Sequence, residues 1–147
     1  MAAGLSLLPE NFDRFAELAS VKLEALYPDA DFSGTIMTDG ALPADGMSLG
    51  FARRLRDGGP WGAGFPEPVF AGDFDIVDQR VVGENHLKMR VQPASGGSPI
   101  DAIAFNQAGP AYRGTVQLAY RLDVNEFRGI ERPQLIVEQI VNIQSTA

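Results

Sequence analysis

The chain has 147 residues, 45% of them apolar and 21% charged, with a net charge of -7, one histidine and no cysteine. That length suits one small domain with an appended segment, and no apolar run approaches the roughly 20 residues that span a bilayer. The lack of cysteine excludes a disulfide framework and, with a single histidine, leaves too few soft ligands for a structural zinc.

The opening Met1-Ala2-Ala3-Gly4-Leu5 has neither the basic region nor the long apolar region of a secretory signal, so the chain is expected in the cytoplasm. A helix should start near Pro9, because proline suits the first helical position and acids suit the first turn. Phe12, Phe15, Ala16, Ala19, Leu23 and Leu26 then recur at helical spacing, and the pattern stops before Tyr27-Pro28. From Pro28 to Gly46 the chain is rich in Asp, Gly and Pro and reads as a connector, with one strand-like run over Thr35 to Thr38. A second helix is predicted over Met47 to Asp57. It would turn Leu49, Ala52 and Leu55 inward and Arg53, Arg54 and Arg56 to solvent, and Gly58-Gly59 would stop it.

Gly59 to Phe70 is too dense in Gly and Pro for helix or strand yet holds three large aromatics, so it must be a packed loop with Trp61 as its anchor. From Val69 onward the period changes to two. Strands are predicted over Val69 to Val82, bent near Gly72, and over His86 to Gln92, Ile100 to Asn106, Thr115 to Phe127 and Gln134 to Asn142. Five strands with no long helix between them close into a small barrel more readily than they form an open sheet with exposed edges. The fold class is therefore mainly β with N-terminal helices, a five-stranded OB-fold barrel over 58-147 behind a helical segment over 1-57.

Alternation assigns faces on these strands. Leu87, Met89 and Val91 point one way, and His86, Lys88 and Arg90 point the other, about 7 Å apart and near the repeat of an extended nucleic-acid backbone. Further along, Val116, Leu118, Tyr120, Leu122 and Val124 form a core stripe, with Gln117, Arg121, Asp123 and Asn125 outside. The turn Asn125-Glu126-Phe127-Arg128-Gly129 would join the last two strands and flank an OB binding groove, where Phe127 either stacks on a base or plugs the barrel end. The candidate DNA-binding residues are thus His86, Lys88, Arg90, Arg121, Asn125 and Arg128.

A net charge of -7 argues at first against a phosphate-gripping surface. Residues 1 to 50, however, carry eight acids against Arg14 and Lys22, whereas ten of the twelve bases lie beyond residue 50. A local basic stripe there is compatible with an acidic total. Catalytic signatures are thin: no serine sits in a nucleophile elbow, and Asp73 and Asp75, on one strand face, could hold Mg²⁺ but read as an ordinary charged face.

Four segments, GPWGAGFPEPVF at 59-70, GENHLKM at 83-89, AIAFN at 102-106 and LDVNEFRG at 122-129, in that order, resemble the C-terminal region of the bacterial RecJ exonucleases. The first five residues are similar to the stretch directly after the Gly-Gly-His motif in the family's DHH-associated domain, although that motif itself is missing. The resemblance implies that residues 1 to 57 finish that domain and lead to the barrel. It also implies that the Mn²⁺- or Mg²⁺-dependent nuclease centre lies in an upstream DHH domain outside this chain, so that the chain alone is inactive. For the whole protein it implies 5′ to 3′ degradation of single-stranded DNA in recombination and repair. The partners to expect are single-stranded DNA, the DHH nuclease domains and other repair proteins; the alternative is a structural or protein-interaction role for the barrel.

Overall fold

A computed structural model describes residues 4-28 and 34-143. Residues 1-3, which open the family resemblance, part of the predicted connector (29-33) and the last four residues lie outside the described set. Two compact units are present, Met1-Thr35 and Ile36-Ala147.

In the first unit a 3-10 turn at Pro9-Asn11 runs into helix α1, Phe12-Leu26. Proline opens the turn and acids occupy the first turns, as the positive helix N-terminus favours. The apolar residues at helical spacing are exposed except the half-buried Ala19, with Phe12 at 61% and Leu26 at 57%.

The second unit begins with an extended segment. Thr35 to Thr38, expected as a strand, forms none; pairing falls just beyond it, where Asp39 N-H donates to Val69 O at 2.7 Å and Ala71 N-H donates to Gly40 O at 3.0 Å. Helix α2 spans Leu49-Asp57. Ser48 caps it by accepting from Phe51 N-H at 3.2 Å, and Gly58 ends it. Ala52 is fully buried, Leu49 and Leu55 are half-buried, and Phe51 meets Phe70 of the barrel with ring centroids 6.4 Å apart. Trp61 anchors the following loop as expected, donating its indole N-H to Leu55 O at 3.1 Å and stacking on Phe65 at 4.9 Å.

Five strands follow: β1 Phe70-Val82, β2 His86-Pro93, β3 Ile100-Ala104, β4 Thr115-Phe127 and β5 Ile130-Asn142. They close into a barrel in the order β1-β2-β3-β5-β4, all neighbours antiparallel except β3 and β5. Closure leaves no sheet edge. The core is the inward stripe of each strand: Phe74 on β1, Leu87, Met89 and Val91 on β2, Ala102 on β3, Val116, Leu118, Tyr120 and Leu122 on β4, and Leu135 and Val137 on β5. These are the β2 and β4 stripes read from alternation, apart from Val124, which is only half-buried.

Two details depart from expectation. The register shift in β1 falls between Ile76 and Asp78, so Val77 is the extra residue. Ahead of the bulge the even-numbered residues face in; past it Gln79 and the exposed Val81 pair with the inward Met89 and Leu87, and Asp78 and Arg80 pair with the outward Arg90 and Lys88. The last turn is also tighter than predicted. β5 starts at Ile130, leaving a two-residue hairpin in which Arg128 (φ 53) and Gly129 (φ 75) take the left-handed conformation. Right-handed strand twist selects such turns, with glycine supplying one of the two positive φ values at no steric cost.

Candidate nucleic-acid interface

Register carries the outward side chains around the barrel in rows. One row pairs Arg80 on β1 with Lys88 on β2, then Ile103 on β3, Ile136 on β5 and Arg121 on β4. The next, one pleat along, pairs Asp78, Arg90, Asp101, Gln134 and Asp123. Lys88 thus lies between a second cation and an apolar residue, whereas Arg90 lies between two carboxylates. Lys88, Ile103 and Ile136 are half-buried, and Arg80 and Arg90 are exposed.

His86 begins β2 and holds the neighbouring loop. Its Nδ1 accepts from Asn106 N-H at 3.1 Å, so in the neutral ring the proton resides on Nε2 and only that nitrogen is available to donate outward. The imidazole also meets Phe105 edge-on at 5.3 Å, and Phe105 is half exposed. Nearby, Ala108 N-H donates to Asn85 O at 2.9 Å, and Gln107 Nε2 donates to Val137 O and Glu138 O. These bonds tie the segment after β3 to the β1-β2 turn and to β5, giving Phe105 a braced setting beside the Lys88 row.

The remaining predicted residues separate. Arg121 donates from Nη1 to Glu67 at 2.8 Å and from Nε to Glu138 at 2.7 Å. The hydrogen bond to Glu67, more than anything else, raises its pKa further, and its charge is locally neutralised. Asn125 faces outward opposite Arg132 on β5. Arg128 sits at the tip of the β4-β5 hairpin with its guanidinium 5.1 Å from the Phe127 ring centroid. Phe127 is 66% exposed and lies opposite Ile130, so it does not plug the barrel.

Among the described residues Arg80, Lys88, Arg90, Arg128 and Arg132 make no ion pair, whereas Arg53, Arg56 and Arg121 do. Arg53 and Arg56, expected as a solvated helical face, both grip Glu131 of β5, Arg53 Nε at 2.7 Å and Arg56 Nη1 at 3.3 Å. Arg53 chiefly, and then Arg56, hold the Glu131 carboxyl below its ordinary range.

Three further residues contribute to this surface that local pattern does not reveal: Phe105, Arg80 and Arg132. The bulge hides Arg80, the late start expected for β5 hides Arg132, and assignment to a strand interior hides Phe105. Among the described residues no three His, Cys, Asp or Glu side chains come together as a metal site. Asp75 instead accepts from the Thr115 hydroxyl at 2.6 Å. Among the described residues no helix is long and apolar enough to cross a membrane.

Residues 38-139 match the model of the RecJ OB domain. The chain is 45% identical to the single-stranded-DNA-specific exonuclease RecJ of Dickeya dadantii and 45% identical to that of Escherichia coli, covering 95% of this chain and 25% of each of those proteins. It therefore spans about a quarter of the length of the curated relatives it matches. The crystal structure of RecJ from Thermus thermophilus in complex with Mg²⁺ superposes with a TM-score of 0.64 at 22% identity, over 95% of this chain and 21% of that one, a likeness of fold. With the closed five-stranded barrel and a family match over most of its length, the chain belongs to the RecJ OB domain family.

Proposed function

We propose that this chain is the single-stranded-DNA-binding OB portion of a RecJ-type 5′ to 3′ exonuclease, a cytoplasmic protein acting in recombination and repair. The strand would lie across the outer face of β2, β3 and β5. The observation that carries this reading is the surface around Lys88: among the described residues Lys88, Arg80 and Arg90 have no ion-pair partner, and they border the half-buried Ile103 and Ile136 and the braced Phe105. Cations beside apolar and aromatic groups suit a polymer that alternates phosphates with flat bases.

In this reading Lys88 and Arg90 contact phosphate, His86 donates from Nε2 and steadies Phe105, and Asn125 and Arg128 meet the strand near the hairpin. Arg121 contributes least, because Glu67 and Glu138 already neutralise it. Residues 1-57 would complete the DHH-associated domain of the longer protein and lead to the barrel at 58-147. Mn²⁺ or Mg²⁺ would serve the DHH nuclease domains, with which this chain would share a polypeptide; catalysis is assigned to those domains and not to this barrel.

Titration of a fluorescent oligonucleotide at two salt concentrations tests the reading, since each phosphate contact releases counterions and steepens the salt dependence. Binding should fall with salt and should weaken strongly in the Lys88→Glu/Arg90→Glu double variant. Affinity unchanged in that variant refutes the face. The net charge of -7 favours a second reading, a structural module or a docking site for another repair protein. Folded protein that binds no oligonucleotide even at low salt would select it.

A further inference from the structure

A groove of about 1110 Å³ opens between the 41-47 segment, the β2-β3 loop and the start of β5. It is slightly larger than the roughly 300-1,000 Å³ that houses a small ligand. Arg90 and Arg132 both line it, together with the apolar Pro43, Met47, Pro99 and Ile100.

We infer that this groove is a nucleotide subsite, in which Arg132 takes a phosphodiester of the single strand and the proline-rich wall receives the adjoining base. The inference rests on the proposed DNA-binding reading and extends it to a place and a residue outside the β2 stripe.

Three observations carry it. The first is the charge state of Arg132. Side chains alternate along β5, so the adjacent Glu131 points to the opposite face, where Arg53 and Arg56 hold it. The residue paired with Arg132 across the hairpin is the uncharged Asn125, and among the described residues Arg132 makes no ion pair. The one carboxylate next to it in sequence is thus withdrawn, which leaves an exposed guanidinium fit for bidentate phosphate contact.

The second is that the loop wall is built. Gly96 N-H donates to Pro93 O at 2.9 Å, Gln92 Nε2 donates to Gly97 O at 3.0 Å, and Ala94 N-H donates to Asp73 O at 2.9 Å. Gly97, at φ 117, passes so close to Ala44 that an added Cβ would lie 3.0 Å from the alanine methyl. The loop and the 41-47 segment therefore meet closely at this point.

The third is continuity. Arg90 lies both in the groove lining and on the outward stripe of β2, so a strand crossing the Lys88 row reaches the groove without leaving the surface. Asp45 and Asp101 also line it. Their charge disfavours a run of phosphates, so Arg132 is the cation assigned one.

The test uses the 147-residue chain with a short oligothymidylate as probe, in the parent, Arg132→Ala, Arg132→Lys and Lys88→Glu proteins, with thermal unfolding to confirm the fold. Arg132 is exposed, so its removal should leave the unfolding midpoint unchanged. Arg132→Ala should weaken binding several-fold and lower the slope of log affinity against log salt by about one, with the lysine variant recovering most of the slope. The probe should also shift the amide resonances of Ser95 to Ser98 in the parent. If Lys88→Glu weakens binding while Arg132→Ala retains the parent affinity and slope, the subsite is overturned and the DNA-binding face stands. If the parent binds nothing, both fall. If the loop resonances move only with an acidic peptide and not with the oligonucleotide, the groove belongs to a protein partner and the inference is overturned.

Discussion

Tyr120 meets the Phe74 ring edge-on in the middle of the barrel, centroids 5.4 Å apart and planes at 85°, and its hydroxyl is buried without a hydrogen-bond partner among the described residues. Leaving a buried hydroxyl unpaired costs about 1-3 kcal/mol, whereas the ring contributes packing like any aromatic. Tyr120→Phe should therefore be neutral or stabilising by about 1 kcal/mol in urea unfolding. A loss of more than about 1 kcal/mol would mean that the hydroxyl does have a partner.

The same burial pushes the Tyr120 phenol up to about 12 from an ordinary value near 10. The folded state thus favours the neutral, protonated ring. The stability linked to it is fully present below about pH 10 and is lost as the pH rises toward 12, by about 2-3 kcal/mol in all. Alkaline unfolding followed by circular dichroism should show this fall in the parent and a shallower one in Tyr120→Phe.

Glu131 joins β5 to α2 through Arg53 and Arg56, which depress its carboxyl pKa, Arg53 more than Arg56. A depressed carboxylate stabilises the fold above its ordinary titration range, and that contribution vanishes as the pH drops through the depressed value. Glu131→Gln should lower the thermal midpoint at neutral pH, and the gap between variant and parent should close in acid. Trp61, the one tryptophan and bonded to the last turn of α2, reports loosening of that helix by its fluorescence.

Arg121 and Lys88 share a row on the barrel surface but should respond oppositely to truncation. Removing Arg121 leaves Glu67 and Glu138 without their cation, a loss of up to about 1 kcal/mol of stability at a partly exposed site, with little change in oligonucleotide affinity. Lys88→Ala should leave stability within about 0.5 kcal/mol of the parent and weaken binding. Paired melts and titrations on the two variants separate the roles; equal losses of affinity would give Arg121 a direct share in binding.

Local pattern makes much of this molecule readable. Leu87, Met89 and Val91 alternate with His86, Lys88 and Arg90 because a strand half-buried in a barrel wall must alternate, and the core of β4 is legible for the same reason. Alternation fails to register a bulge, since one extra residue at Val77 inverts the faces beyond it, and so Arg80 escapes notice. Partners far apart in sequence are equally hidden. Nothing near Arg53 and Arg56 announces Glu131, which lies 78 and 75 residues away, and a helix rich in arginine looks solvated until the strand beside it is known. The hairpin turn defies local reading because Arg128, a residue that rarely takes positive φ, does so here beside Gly129.

The grip of α2 on Glu131 also bears on how the barrel assembles. The helix precedes every strand, while its carboxylate partner lies on the last one, and the parallel pair, β3 with β5, needs that last strand as well. Loop-closure entropy must be met before such distant contacts form, so a chain emerging residue by residue lacks the Arg53 and Arg56 grip on Glu131 until β5 has been made. Closure of the barrel and the locking of its helix to Glu131 are then late steps of folding, taken together, and the β1-β2 and β4-β5 hairpins are the segments able to form ahead of them.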